Sequence, residues 1–306
     1  MLKFLLWGLL LLSPSLLYGQ RLMERNTMII PLADSSRYKP GSGVSFAHSF
    51  SGWAAFGNYL ATSDESHEWF HEMGATIELI RFSNRATFGV TTTIEFVADP
   101  FNNINFNPRA IWWSEGLFYM RKSEKGFWRL GYYHRCKHDV DNLSIGEERT
   151  LIFGSVNYEY FRPLKSNLKE ELWYAIGGDW YTIRQDSRDP LNPEPNSLNH
   201  MNLLASVSLK VHHLKVFPNG KLGWYTNAFL QPNLYSDNEG FLDRFNNLDR
   251  VNASFGISTG LALIGNGKLR IGFNYEFHPD TGIPIAPRSA HLFSFGIRGL
   301  SMSQIK

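Results

Sequence analysis

His134, Cys136 and His138 occupy alternate positions in the segment Tyr132-Tyr133-His134-Arg135-Cys136-Lys137-His138-Asp139, and Glu147 and Glu148 follow across a short polar stretch. Imidazole, thiol and carboxylate are groups that hold transition metals or move protons. Neighbouring same-face positions of one strand rarely complete a tetrahedral site, so no metal is expected here. Asp139, Asp141, Glu147 and Glu148 make an acidic run that could hold a divalent cation, although such runs are usually solvated. The loop Asp237-Asn238-Glu239-Gly240-Phe241-Leu242-Asp243 lacks the ligand spacing and final glutamate of a calcium loop. Gly-rich phosphate loops and zinc-protease motifs are absent, and no cofactor is expected. The plainest reading makes the His134 cluster interfacial, bonded to lipid headgroups or to the next strand.

What positions these residues is a period of two. From residue 43 onward, apolar and polar residues alternate through twelve blocks: 43–56, 69–82, 86–97, 108–121, 126–137, 149–162, 170–184, 199–215, 220–234, 249–264, 267–278 and 288–299. Alternation gives a strand one apolar and one polar face. Val251, Ala253, Phe255 and Ile257 oppose Asn252, Ser254, Gly256 and Ser258; Phe88, Val90, Ile94 and Phe96 oppose Thr87, Thr91, Thr93 and Glu95. Turns rich in Asn, Gly, Ser and Pro at 83–85, 123–125, 217–220 and 265–267 alternate with long polar loops at 57–68, 98–107, 138–148, 185–198, 235–248 and 279–287. Together these patterns predict an all-β, antiparallel transmembrane β-barrel of twelve strands in a bacterial outer membrane. Both termini and the tight turns lie on the periplasmic side, and the long loops lie outside. In this frame His134, Cys136 and His138 continue the lipid-facing set of Trp128, Leu130 and Tyr132 near the outer surface. Arg129, Arg135 and Lys137 face the lumen, and Glu148 has the outward parity of Ile152 and Val156.

Composition agrees with a barrel. Aromatic residues make up 15% of the 306 residues, which suits girdles at two interfaces, and the formal net charge of +2 makes no electrostatic case for nucleic acid. The single cysteine excludes an internal disulfide. Residues 1–19 read as a secretory signal, with Lys3 ahead of the apolar run 4–12 and small residues before Gln20. Residues 20–42, with Met28-Ile29-Ile30-Pro31-Leu32-Ala33-Asp34, precede the barrel of 43–306 as a periplasmic or lumenal segment. A monomer is expected, in contact with outer-membrane lipids and lipopolysaccharide and inserted by the barrel-assembly machinery.

Two resemblances follow from particular motifs. Pro31-Leu32-Ala33-Asp34 and Tyr133-His134-Arg135-Cys136-Lys137-His138 resemble an uncharacterised family of outer-membrane barrels with a Pro-Leu-hydrophobic-Ala-Asp segment and a Tyr-His-x-Ser-Ser-His strand end. Both serines of that pattern are replaced here. The spacing of His134, Cys136 and Glu148 is similar to that of lipid A 3-O-deacylases, which carry a His-x-Ser pair on an outward strand and a later glutamate. That resemblance implies His134 as base, Cys136 as nucleophile in place of serine, and Glu148 as the carboxylate orienting the imidazole. Three readings stand: a barrel of unassigned role, an outer-leaflet lipid A-type acyl esterase, and a small-solute channel. The channel would use the lumenal charges Glu95, Arg129, Lys210 and Arg298.

Overall fold

A computed structural model describes residues 28–33, 43–64, 66–98, 108–140, 147–190, 198–200, 203–235, 251–283 and 289–304, without the side chains of 147, 148, 188–190, 198–200 and 302–304. The expected signal at 1–19, the acidic residue Asp141 and most of the loops at 98–107, 185–198 and 235–248 lie outside the described residues.

Alternation produces strands along nearly the whole chain: β1 (Val44–Thr62), β2 (Trp69–Phe82), β3 (Ala86–Ala98), β4 (Ala110–Lys122), β5 (Phe127–Asp139), β6 (Glu147–Ser166), β7 (Glu170–Pro190), β8 (Leu198–His200), β9 (Leu203–Val216), β10 (Leu222–Tyr235), β11 (Val251–Ile264), β12 (Gly267–His278) and β13 (Ala290–Gln304). Each pairs antiparallel with its neighbour, β6 pairs with β7, and β1 pairs with β13 over Ser49–Thr62, so the sheet closes on itself. The short β8 and the long β9 pair with successive parts of β7 and form one stave, which leaves twelve staves in the wall. Closure removes the open edges that neither water nor lipid could satisfy.

Four strands clearly outrun the sequence-based spans: β1, β6, β7, which runs on to Pro190 through part of the expected loop at 185–198, and β13, which runs on to Gln304. β1 continues through Gly57–Thr62, where a register shift between Tyr59 and Ala61 absorbs an extra residue. β6 continues past Pro163, a residue that ordinarily ends a central strand; a shift between Pro163 and Lys165 takes up the missing amide. The turn into β7 is then made at Asn167, whose side chain accepts from the amides of Lys169 and Glu170 at 2.9 Å each.

The outward face is apolar, with Phe56, Leu117, Leu130, Val156, Ile176, Val207, Ile257 and Phe273 all exposed. Inward positions carry the buried polar residues Glu72, Glu95, Arg135, Lys137, Arg149, Glu159, Asp179 and Lys210. This inversion, with charge inside and hydrocarbon outside, is the pattern of a lipid-embedded barrel.

The lumen is filled from both ends. At the periplasmic end, Ile30 and Leu32 of the 3₁₀ turn Pro31–Ala33 pack on Phe118, Met120, Phe127 and Phe161. At the outer end, the segment after β12 folds inward. Asp280, Thr281 and Ile283 are buried there, and Gly282 takes a left-handed φ of 78° against Trp112 and Leu151. A side chain at Gly282 would collide with both, so the inward fold requires glycine there. Between the two plugs, beside Ile29, Glu72 and Glu95, a cavity of about 90 Å³ remains.

Candidate active site

β5 sorts its residues by parity. Phe127, Tyr133, Arg135 and Lys137 are buried in the lumen, while Leu130, Tyr132 and His138 are exposed outward and His134 and Cys136 are half-buried on that outward face. The stave starts at Trp128, whose ring meets Tyr119 edge-on at 5.4 Å. At about 3.3 Å per residue and a tilt near 40°, Cys136 stands roughly 20 Å above this aromatic pair, close to the outer edge of an apolar band about 25 Å tall. That is the depth of acyl-ester linkages in an outer leaflet.

Register decides which carboxylate meets His134. Its cross-strand partner on β4 is Glu115. His134 Nδ1 lies 3.7 Å from Glu115 Oε1, with the two side chains 35% and 59% exposed. Cys136 stands two residues further along β5, between Trp113 of β4 and Ile152 of β6. Glu148 lies elsewhere: His134 pairs with Gly154, six positions along β6 from Glu148, which pairs with Asp189. Six residues of strand separate the two backbones by roughly 20 Å. The structure therefore brings His134 to Glu115, places Cys136 two positions along the same face, and leaves the Glu148 backbone apart, its side chain lying outside the described residues.

Glu115 had a signal in the sequence. It sits between Trp113 and Leu117, which are 46% and 51% exposed to lipid, and so interrupts an apolar row with a carboxylate. The floor beside the site is shaped by Gly154, over which the Tyr132 ring lies; a Cβ at Gly154 would meet the Tyr132 hydroxyl at 2.5 Å. That hydroxyl is 3.3 Å from Thr182 Oγ1.

Asp139 departs from the solvated acidic loop expected of it. It faces the lumen, pairs with Lys137 and lies 3.3 Å from Arg109, and its other oxygen accepts from the Arg149 amide at 2.8 Å. Arg149 in turn spans Asp186, at 2.9–3.0 Å, and Asp280 of the outer plug, at 2.8–3.0 Å. Among the described residues no cluster of three or more histidine, cysteine, aspartate or glutamate side chains forms a metal site. The lumenal charges that a channel would use are engaged with one another: Arg129 and Lys210 share Glu159, Glu95 lies 3.5 Å from Arg135, and Arg298 bonds Glu72 at 2.6 Å.

No family profile and no curated protein matches the chain. Among solved structures it is similar to LpxR from Salmonella typhimurium, at 8% identity over 81% of this chain and 99% of that one, with a TM-score of 0.44. It is also similar to the outer membrane protein OprD from Pseudomonas aeruginosa, at 8% identity over 87% and 98%, TM-score 0.35. A third similarity is to the translocator domain of the autotransporter NalP from Neisseria meningitidis, at 10% identity over 84% and 88%, TM-score 0.36. The class of protein rests on the closed twelve-stave wall with its apolar exterior: an integral β-barrel of the bacterial outer membrane.

Proposed function

We propose that this barrel hydrolyses acyl esters of outer-leaflet lipids, lipopolysaccharide among them, at its outward face. The observation that carries the reading is the His134–Glu115 pair at 3.7 Å with Cys136 beside it, all on a lipid-facing surface. A charge on the lipid face of a barrel is destabilising, by up to about 2–4 kcal/mol for a basic side chain at mid-depth and less for an acid. An ionisable group in such a place is by default a candidate functional group.

In this reading His134 takes the thiol proton and Cys136 Sγ attacks the ester carbonyl. Glu115 steadies the imidazolium that forms. The C–S bond forms as the ester C–O bond breaks, and His134 returns the proton to the departing lipid alkoxide. Water, deprotonated by His134, then cleaves the thioester and releases the fatty acid. The filled lumen favours this site over a solute path, because Glu95, Arg129, Lys210 and Arg298 are paired and both ends are plugged.

Mass spectrometry of lipopolysaccharide and of phospholipid vesicles, each incubated with the refolded barrel, tests the proposal. Loss of an acyl chain with the native protein and not with Cys136→Ala is expected, with Cys136→Ser retaining part of the activity. Unchanged lipid in the presence of a demonstrably folded native barrel overturns it.

A further inference from the structure

On the periplasmic half of the lumen, away from the outward site, two guanidinium groups stand side by side: Arg270 of β12 and Arg298 of β13 are register partners. Arg298 bonds Glu72 at 2.6 Å, and Lys268 bonds Glu171 at 2.6 Å, so each carboxylate facing the cluster already holds a cation. His212 is engaged as well, with Nδ1 2.6 Å from Asn227 Oδ1 and Nε2 3.7 Å from Glu171.

Arg270 is 8% exposed, and among the described residues no carboxylate lies within ion-pair distance of it. Its Nε has no acceptor, and its nearest aromatic contact is the face of Tyr225, 5.3 Å from the ring centroid. Among the described residues, Arg270 is therefore a buried positive charge with no carboxylate partner. Such a charge is costly in a protein interior.

Beside Arg270 is a cavity of about 20 Å³, lined also by Arg298, Tyr225, Asn227, Ser258 and Asn274. A space of about 10–15 Å³ on this measure holds one water-sized particle. Ser258 Oγ accepts from Asn227 Nδ2 at 3.1 Å, which leaves its own hydroxyl proton available to a guest.

We propose that this lumenal cavity binds one small monovalent anion of chloride size, held by the Arg270 guanidinium and the Ser258 hydroxyl. One guanidinium without a carboxylate partner calls for one negative charge, and a space of about 20 Å³ suits a monatomic ion better than the larger phosphate. The ion would tie β11 and β12 together inside the barrel as a structural counter-ion.

The test is the apparent Tm of the refolded barrel in sodium gluconate, chloride or bromide at constant ionic strength. Chloride and bromide should raise Tm saturably over gluconate, by roughly 2–3 °C at tenfold excess over Kd. Arg270→Gln should abolish the rise. Asn274→Asp, which retains Arg270 and supplies a carboxylate at the cavity wall, should abolish it too, and this variant decides the matter if Arg270→Gln fails to fold. A native Tm that does not distinguish chloride from gluconate overturns the proposal, as does an undiminished chloride response in Asn274→Asp.

Discussion

Glu115→Gln should yield a barrel that is more stable and a slower lipid hydrolase. Glu115, level with His134, lies roughly 10 Å above Tyr119 and roughly 15 Å above Trp128, a little outside the middle of the apolar band. A carboxylate there costs less than the roughly 2–4 kcal/mol of a basic residue at that depth. Exchange for a neutral amide of the same shape should therefore return about 1 kcal/mol. The catalytic loss follows from geometry. Orienting carboxylates in acyl-transfer triads are worth up to about 10⁴-fold in kcat when they hydrogen-bond the imidazole directly. At 3.7 Å, beyond the usual hydrogen-bond range, the contact is looser and a loss of about 10²-fold is expected. The assay is the rate of fatty-acid release from dispersed lipopolysaccharide, with urea unfolding followed on the same samples. Glu148→Gln is the companion variant. From its backbone position six residues along the strand it should change kcat by less than about twofold. Equal losses in the two variants, or full activity in Glu115→Gln, would refute the assignment of the carboxylate by register.

Asp280→Ala should remove one of the two carboxylates that hold Arg149 while the pair with Asp186 persists, at a cost of about 1.5–3 kcal/mol in unfolding free energy, and should raise the conductance of the barrel in planar bilayers. The native barrel should show no steady conductance in the same bilayers, and stable ion currents would contradict the doubly plugged lumen. Asp64, in the outer loop after β1, is pulled two ways. Burial alone would raise its pKa, but His67, the Ser66 amide and the Thr281 hydroxyl outweigh burial and hold it well below the ordinary 3.8. A depressed folded-state pKa means that this tie between two outer loops is fully present above pH 4 and is lost as pH falls from there through the folded value. Hydrogen exchange at residues 66–68 and 281–283 should therefore speed up under acid in the native protein, with a much weaker pH response in Asp64→Asn.

Parity was legible along most of the wall but not through its bulges: alternation with Ala205, Val207 and Leu209 puts Leu203 on the lipid face, yet a register shift opposite Leu234 and Tyr235 turns Leu203 into the lumen and exposes Leu204. His134 and Cys136 point to lipid and Arg135 and Lys137 to the lumen because a strand has period two and only one of its faces can meet hydrocarbon. The number of staves and the side on which the tight turns fall follow from the same alternation, punctuated by residues such as Asn84 and Gly220 that turns favour. Strand ends were harder to read. Pro163 resembles a terminus, and only a bulge lets β6 run through it.

Tertiary structure alone decided three things. Register set Glu115 rather than Glu148 opposite His134, because spacing along a chain says nothing about how far adjacent strands slide past each other. Lumen occupancy depended on whether the apolar patch at 28–33 and the segment at 280–283 find complementary walls, which Phe118, Met120, Trp112 and Leu151 supply from distant strands. The pairing of lumenal charges, with Arg270 left without a carboxylate among the described residues, emerged only once closure had set the last strands, β12 and β13, beside β1 and β2 in the wall.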